Sequence, residues 1–379
     1  MIIWAEGAVT AVRARWAGAV EVQASRDGGG ACRALAYLDL VPAPEPGDRL
    51  LLNVAALDRG LGTGGYALVV AVLTPAGHLK GQPSAPRGHL VKARYLPMQA
   101  MVAGADEQGS DYHDTLAEAT SIDGMPVVVA DLHSALPAIV AAIQHDRPGT
   151  RVVYLMSDHG ALPLAFSRTV AELRDAGLIA ATVTAGQAFG GDLEAVNVHS
   201  GLLAARLALG AEVVVLTQGP GNLGTGTRWG FSGVACGEAI NAAATLGGRP
   251  VGSLRISGAD PRPRHRGVSH HSLTAYGAVA LQPAELAVPD FAGASRLSGI
   301  AGLTEVAALA ESVTEAAAGL TRHRRRLVEL SGLDRALLNL PLRLSTMGRG
   351  LDEDPAYFLA AAASGRLAAR LLAATGSAA

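Results

Sequence analysis

Five short apolar runs, each followed by a loop of reactive or glycine residues, constrain the fold of this chain more than any other feature. The runs alternate with amphipathic stretches of helical spacing, which is the pattern of βαβ units and a parallel sheet. Ligands bind at the carboxyl ends of the strands in open α/β sheets. The sequence therefore predicts a doubly wound, mainly parallel α/β domain with a site at that edge. The runs are Pro126–Ala130, Val152–Met156, Ile179–Thr184, Glu212–Leu216 and Val251–Ile256.

The rest of the chain divides around this domain. Residues 1–100 alternate apolar and polar positions between turn signals, which predicts a small antiparallel β-barrel-like module. Residues 101–124 are interpreted as a connection and residues 125–290 as the α/β domain. Residues 291–379 are predicted to be helical and to pack on it, with a helix beginning at Asp354-Pro355. The basic run Arg322–Arg326 is interpreted as a solvated helix face.

Composition excludes several classes of function. A net charge of -2 over 379 residues argues against a nucleic-acid partner. Only two cysteines are present, Cys32 and Cys236, which is too few for a disulfide framework and favours a reducing compartment. No run approaches the ~20 apolar residues of a membrane span, and the first residues do not resemble a signal peptide. A cytoplasmic protein without a membrane partner is expected, and a homo-oligomer is left open.

Two of the loops place an aspartate and a histidine directly after a strand. Asp131 and His133 follow the first run, and Ser157-Asp158-His159-Gly160 follows the second. A carboxylate and an imidazole suit a divalent metal or proton transfer. These four Asp and His residues are therefore candidate catalytic residues, and Asp158 and His159 are also candidate ligands of a divalent metal. The alternative is that the aspartates only cap the helices that follow.

A glycine-rich loop, Thr217–Trp229, lies between the fourth run and the next helix. Its successive backbone N–H groups and the N-terminus of that helix would suit an anion. It is neither a dinucleotide fingerprint nor a Walker loop, because the helix does not begin inside the motif and no Gly-Lys-Ser/Thr follows. A turn-rich connection is the alternative. The candidate ligand-binding residues are Gly219, Gly221, Asn222, Gly224, Thr225, Gly226 and Thr227.

A basic loop, Arg262–Ser272, follows the fifth run and holds three arginines and three histidines. Arginine suits phosphate or carboxylate, so Arg264, His265 and Arg266 are expected to contact the anion. His270 and His271 are expected to act as general acid or base. The alternative is a solvated loop whose last two histidines lie in a helical turn capped by Ser269.

Several of these segments carry resemblances. Ser157–Gly160 resembles the metal-binding segment of the alkaline phosphatase superfamily, but the nucleophile and further ligands of that superfamily cannot be placed here, so neither its fold nor its reaction is carried over. The chain as a whole resembles an uncharacterised bacterial family, domain of unknown function thirty-eight sixty-six, which implies no activity. The matching stretches are Leu52-Asn53, Gly60–Tyr66, Gly88–Tyr95, Ser157–Gly160, Gly219–Thr227 and His265–His271.

The residues together favour an enzyme, hydrolase-like, that acts on a small anionic substrate. Hydrolysis is inferred because no motif marks a redox cofactor or a nucleotide triphosphate site. The alternative is a non-catalytic sensor or regulatory protein that binds a small anionic metabolite in the same loops.

Overall fold

The N-terminal part of the chain is a closed barrel. The computed structural model describes residues 2–62, 64–81 and 88–376, so Thr63 of the glycine segment 60–65 lies outside it. The barrel order is β1-β2-β3-β5-β4, which confirms the predicted β module, although β3 and β5 run parallel. Its elements are β1 (Trp4–Trp16), β2 (Ala19–Arg26), β3 (Ala31–Tyr37), β4 (Arg49–Asn53), α1 (Ala55–Asp58) and β5 (Tyr66–Leu73).

A connecting segment joins the barrel to the rest of the chain. It contains β6 (Leu90–Lys92) and β7 (Ala100–Val102), which pair with each other, and the short helix α2 (His113–Leu116). Lys92 is buried, and its Nζ donates hydrogen bonds to the carbonyl oxygens of Gly186, Ala188 and Ala195 at 2.8–3.0 Å. This lysine therefore fastens the connection to the α/β part of the chain.

The central part is a parallel sheet of eight strands. The strands after the connection are β8 (Pro126–Ala130), β9 (Val152–Ser157), β10 (Ala181–Ala185), β11 (Leu193–Ala195), β12 (Val213–Gln218), β13 (Arg249–Ser253), β14 (Ile256–Ser257), β15 (Gly267–Val268), β16 (Glu285–Pro289) and β17 (Arg324–Val328). β14 and β15 form a small antiparallel pair, and the other eight form the sheet in the order β11-β10-β9-β12-β8-β13-β16-β17. Four of the predicted strands are confirmed, and the fifth run, Val251–Ile256, is divided between the end of β13 and the start of β14.

The order of the strands determines where a cleft opens. From β8 the chain builds β9, β10 and β11 on one side, and then inserts β12 between β9 and β8. It next crosses to the other side of β8 to build β13, β16 and β17. The loops after β8 and β9 lead to one side of the sheet and the loop after β12 leads to the other, so the carboxyl ends of β8, β9 and β12 form the switch point.

Helices cover the sheet on both faces, as a parallel sheet requires. α3 packs with α11 over one face, and α5 packs with α6 over the other. Val127–Val129 and Val213–Val215, in the middle strands, are fully buried. No helix in the described ranges is both long and apolar enough to span a bilayer. The helices are α3 (Leu136–Asp146), α4 (Arg168–Asp175), α5 (Val198–Leu203), α6 (Ala235–Thr245), α7 (His270–Thr274), α8 (Leu303–Ala308), α9 (Ala310–Ala318), α10 (Leu333–Leu338) and α11 (Pro355–Gly376).

The C-terminal region differs from the prediction at one element. Arg322–Arg326 was expected on a helix face, but residues 324–328 form β17, the edge strand of the sheet. The prediction of a solvated basic run is correct, because residues 324–326 are exposed, whereas the predicted helix is wrong. Arg326 and Arg324 contact Glu285 on the neighbouring strand. Arginines on an edge strand discourage pairing with another sheet edge.

Candidate functional site

A cavity of about 220 Å³ opens at the carboxyl ends of β8, β9 and β12. We call it the switch cavity. Its walls are mostly apolar, and polar side chains from four separate segments reach it. The polar or titratable residues that line it are Asp131, Ser157, His159, Asn197, His199, Gln218, Ser232, Cys236 and Glu238.

The start of α6 closes one side of this cavity. A Cβ on Gly233 would come within 2.9 Å of the Asp131 Cβ, so the chain passes very close to the end of β8. Ala235 and Cys236, the first residues of α6, line the cavity. Burial, together with the nearby charge of Asp131, raises the pKa of the Cys236 thiol well above its usual value. This cysteine is therefore a neutral thiol and a poor nucleophile.

Asp131 connects the switch cavity to a buried group of charges. Its Oδ2 lies 3.5 Å from Arg255 Nη1 and 3.5 Å from His271 Nδ1. Arg255 Nη1 in turn lies 3.2 Å from His271 Nδ1. Burial raises the pKa of Asp131, but the contacts with His271 and Arg255 outweigh it, and the pKa is lowered overall. The carboxylate is thus ionised and does not cap α3, which begins without a side-chain cap.

Three imidazoles form a compact group beside Asp131, which we call the histidine cluster: His265, His270 and His271. The centroids of their rings lie 4.4–4.9 Å apart. His271 stacks on Phe231 with the ring planes 6° apart and the centroids 3.7 Å apart. Ser269 Oγ lies 2.7 Å from His265 Nδ1 and accepts a hydrogen bond from the His271 N–H. Ser269 caps the helical turn that holds His270 and His271, as the alternative proposed. The three imidazoles nevertheless lie together.

The histidine cluster lies in a positive electrostatic environment. Burial, followed by the charges of Arg255 and Arg262, lowers the pKa of His265 to about 3. Burial also lowers the pKa of His270, followed by the effects of His271, Arg264 and Arg255. These two imidazoles are therefore neutral at pH 7, and each has a ring nitrogen with a lone pair that can bind a metal.

A second layer of ion pairs holds this environment in place. Asp260 is buried and accepts hydrogen bonds from Arg262, while Arg255 and Arg349 approach it at 3.8 and 3.5 Å. Arg349 also donates to Asp354, which accepts a hydrogen bond from Ser257 Oγ at 2.6 Å. The hydrogen bond from Arg262 outweighs burial, so the pKa of Asp260 is lowered. The start of α11 is thereby joined to the loop after β14.

The side chains of Asp158 and His159 are partly exposed to solvent. Asp158 Oδ2 accepts a hydrogen bond from the backbone N–H of Gln187 at 3.0 Å. His159 Nδ1 lies 3.5 Å from Asp158 Oδ1 and 3.3 Å from Ser157 Oγ. Among the described residues, the only set of three or more close ligand atoms is the histidine cluster. The predicted metal pair therefore gains no third His, Cys, Asp or Glu ligand within that part of the chain.

His133 faces away from the other candidates. Its Nδ1 lies 2.9 Å from the Tyr154 hydroxyl and its Nε2 lies 2.6 Å from Ser167 Oγ. Both ring nitrogens thus have partners, and Ser167 also caps α4. Burial lowers the pKa of His133 to about 4. The imidazole joins the loop after β8 to β9 and α4, and the switch cavity is lined without it.

The glycine loop combines close packing with an exposed arm. Gly219 lies against the loop after β9, because a Cβ there would overlap the carbonyl oxygen of Ala161. Asn222 is fixed by Gln218 and Ser232 through hydrogen bonds of 3.1 and 2.8 Å. Gly221 and Gly226 adopt positive φ angles of 92° and 81°. The candidate residues of the arm, Gly221, Gly224, Thr225, Gly226 and Thr227, are exposed, as are Arg264 and Arg266.

Asp131 and His159 thus line one cavity, and His271 contacts Asp131 without lining the cavity itself. His270 and His265 lie next to His271, while Asp158 supports His159 without lining the cavity. Sequence reasoning missed the residues whose role depends on distant partners. These are Gln218, Phe231, Cys236, Arg255, Asp260 and Arg349.

A family model described as "Protein of unknown function (DUF3866)" matches residues 33–365. The match includes β4, β5 and most of β3 of the barrel, the whole sheet and the first half of α11, and it begins after β1 and β2. It confirms the resemblance noted from the sequence. No curated protein and no solved structure matches the chain.

Proposed function

We propose that this chain, which belongs to the DUF3866 family, is an enzyme of the hydrolase type that acts on a small anionic substrate in the switch cavity. One observation carries the proposal. Asp131 and His159 follow different strands of the sheet, yet they line one cavity at the switch point. A concave site with a few convergent polar groups at this position is where α/β proteins bind and convert small molecules.

His159 is the proposed general base. Its Nδ1 faces Asp158 Oδ1 and Ser157 Oγ, which leaves Nε2 as the nitrogen that takes a proton from the attacking water. Asp158 is held by the Gln187 N–H and orients the imidazole. An aspartate behind a histidine fixes both the tautomer and the direction of the ring.

The anion is attracted by two positive features. α6 is eleven residues long, and its N-terminus lines the cavity, where the helix dipole favours a negative charge. The arginines around the histidine cluster add positive potential behind Asp131. Arg255 offsets the charge of Asp131 itself, so this carboxylate does not exclude an anion from the cavity.

The size and the walls of the switch cavity limit the substrate. A volume of about 220 Å³ is below the roughly 300–1,000 Å³ of pockets that hold drug-sized ligands. Ala130, Leu216 and Ala239 give it an apolar interior. A short phosphate monoester, or a short ester that carries a free carboxylate, fits this combination.

The test is turnover, by the purified 379-residue chain, of short phosphomonoesters and of short esters that carry a free carboxylate. Replacing the proposed base, His159→Gln, should lower kcat/KM by about 10²–10⁴-fold, which is the usual contribution of a general base. Binding of acetate or phosphate, measured by calorimetry, should persist because Gln keeps the shape of the cavity. His78→Gln is the control, since His78 is exposed in the segment after β5.

Two results would contradict the proposal. Full activity in His159→Gln would remove the base from the mechanism. Saturable binding of acetate or phosphate by native protein, with no turnover of any ester, would replace the enzyme with a sensor of a small anionic metabolite.

A further inference from the structure

We infer that His265, His270 and His271 form a binding site for a borderline divalent cation, with zinc as the best match. The inference extends the proposed function and rests on it only for the part that the ion would play in the reaction. One nitrogen from each of the three imidazoles can be chosen so that all three lie within 4.8 Å of one another. A tetrahedral zinc with bonds of about 2.1 Å places its ligand atoms roughly 3.4 Å apart, so small side-chain rotations close the site.

His265 is oriented by a hydrogen bond at Nδ1, and His271 has a carboxylate oxygen near its Nδ1 that lies in ionic contact and has no hydrogen-bond partner among the described residues. Ser269 Oγ contacts Nδ1 of His265 at 2.7 Å, and Asp131 Oδ2 lies 3.5 Å from Nδ1 of His271. Both contacts leave Nε2 as the nitrogen for a metal. A carboxylate or hydroxyl behind a ligating histidine is the usual second partner in zinc sites, because it fixes the tautomer and raises the basicity of the ring.

The third ring supplies an independent observation. His270 Nε2 is buried and has no hydrogen-bond partner among the residues that the structure describes. A buried polar nitrogen without a partner is costly and uncommon. An ion bonded to this nitrogen removes that cost.

The tautomer of His271 distinguishes the loaded state from the empty one. An arginine only donates hydrogen bonds, so Arg255 Nη1, 3.2 Å from Nδ1, favours the tautomer that carries its proton on Nε2. In the loaded state the proton would lie on Nδ1 and be donated to Asp131, Nε2 would bind the cation, and Arg255 Nη1 would give up its hydrogen bond to Nδ1 and keep its contact with Asp131 Oδ2. Metal binding at this residue is therefore coupled to a shift of one proton within the imidazole.

The surrounding charges allow a dication with an anionic fourth ligand. The guanidinium groups of Arg255, Arg262 and Arg349 are matched by the carboxylates of Asp131, Asp260 and Asp354. Arg264, exposed beside them, leaves a surplus positive charge. The three ligands are nitrogens, which favour zinc and its neighbours over magnesium or calcium, since those two ions prefer oxygen.

The experiment uses the full-length chain, stripped with a chelator and titrated with Zn²⁺ or Co²⁺ alone. We expect one equivalent to bind and Co²⁺ to give the absorption of a tetrahedral site. His270→Gln should abolish this binding, and Asp131→Asn should weaken it by about 10–100-fold, because Asp131 only orients a ligand. His145→Gln, which changes an exposed histidine of α3, is the control. Melting curves in chelator check that each variant folds.

The outcomes separate this site from the proposed reaction. Absence of binding, or Co²⁺ binding that is unchanged in both His270→Gln and Asp131→Asn, would overturn the metal site. Ester turnover that depends on His159 in chelated protein would still support the proposed function. Conversely, stoichiometric zinc held by the histidine cluster in a protein that hydrolyses no ester would support the metal site and contradict the hydrolase.

Discussion

His133 and His159 follow consecutive strands of the central chain, β8 and β9, in similar sequence contexts, yet their imidazoles have different environments. His159 lines the switch cavity with one ring nitrogen available. His133 is buried, and the Tyr154 hydroxyl and Ser167 Oγ occupy both of its nitrogens. Local sequence did not distinguish the two, because the difference arises from Ser167, which lies after the next strand. We therefore assign His133 to stability rather than chemistry.

This assignment predicts a pH dependence. The pKa of His133 is lowered to about 4 by burial, against roughly 6.5 in an unfolded chain. The unfolded state therefore binds more protons in this window, and stability is lost as the pH falls from 6.5 towards 4. Between pH 7 and pH 5 the free energy of unfolding should fall by about 2 kcal/mol through this residue.

In His133→Gln that part of the pH dependence should disappear, as measured from urea midpoints at pH 7 and pH 5. The variant should be less stable at pH 7 and show a smaller loss at pH 5. His145→Gln, on the exposed side of α3, should keep the native pH dependence. An unchanged loss in His133→Gln would show that other groups account for it.

Arg255 illustrates which site residues a sequence conceals. It lies between Leu254 and Ile256, where it reads as the outward polar position of a strand. In the fold it is buried between Asp131 and Asp260. Its first partner follows a strand formed much earlier in the chain. The His265–Ser272 segment, by contrast, was recognised from the sequence, because its histidines are close together in the chain.

The strands, as elements, were the most predictable part of the molecule. The five central runs are apolar throughout because both faces of a parallel sheet are covered. β17 was missed because it is an edge strand whose arginines face solvent, so it lacks the apolar run. Its position depends on β16, with which it pairs in parallel.

The glycines of the glycine loop do not share one role. Gly219 and Gly160 let two loops touch along their backbones: Ala161 N donates to Pro220 O at 2.8 Å, and Gly219 N donates to Ser157 O at 3.3 Å. Gly224 has ordinary space around it, since a Cβ would meet its nearest atoms at 3.8 and 3.9 Å. The sequence motif did not distinguish these glycines, because the spacing of residues in a sequence does not show which glycine lies against another backbone.

A matched pair of substitutions tests this difference. In Gly219→Ala the new methyl group overlaps the Ala161 carbonyl, so the loops after β9 and β12 must separate and the wall of the switch cavity moves. We expect at least a tenfold loss of ester turnover and a lower melting temperature. Gly224→Ala, in the same loop, should leave the stability within about 0.5 kcal/mol, as is usual for surface positions. Equal effects of the two substitutions would contradict the packing role of Gly219.

At the scale of the whole molecule, the barrel and the sheet meet through a small apolar contact. Ala19, Leu35, Tyr37, Tyr66 and Ala165 form a buried cluster that Trp16 and Phe166 extend. The barrel itself was predicted from its alternating strands. Its placement against residues 164–168 was not, because alternation shows which residues are buried but not which surface covers them. The contact lies beside Ser167, the partner of His133.

Trp16 provides the last prediction, because it joins the two parts of the molecule by three interactions. Its indole N–H donates to the Ala165 carbonyl at 2.7 Å, the Arg168 guanidinium lies 5.2 Å from its ring, and the ring packs on the apolar cluster. The hydrogen bond and the cation–π contact together contribute about 2 kcal/mol, or roughly a 30-fold change in the opening equilibrium.

Trp16→Ala should therefore speed hydrogen exchange in residues 164–168 and in the start of β2, while the fully buried strands β8 and β12 keep their protection. Trp4→Ala is the control, because Trp4 is 49% exposed on the same strand of the barrel. Faster exchange throughout β8 would mean that the barrel and the sheet unfold as one unit. No change at residues 164–168 would mean that Trp16 does not hold the barrel in place.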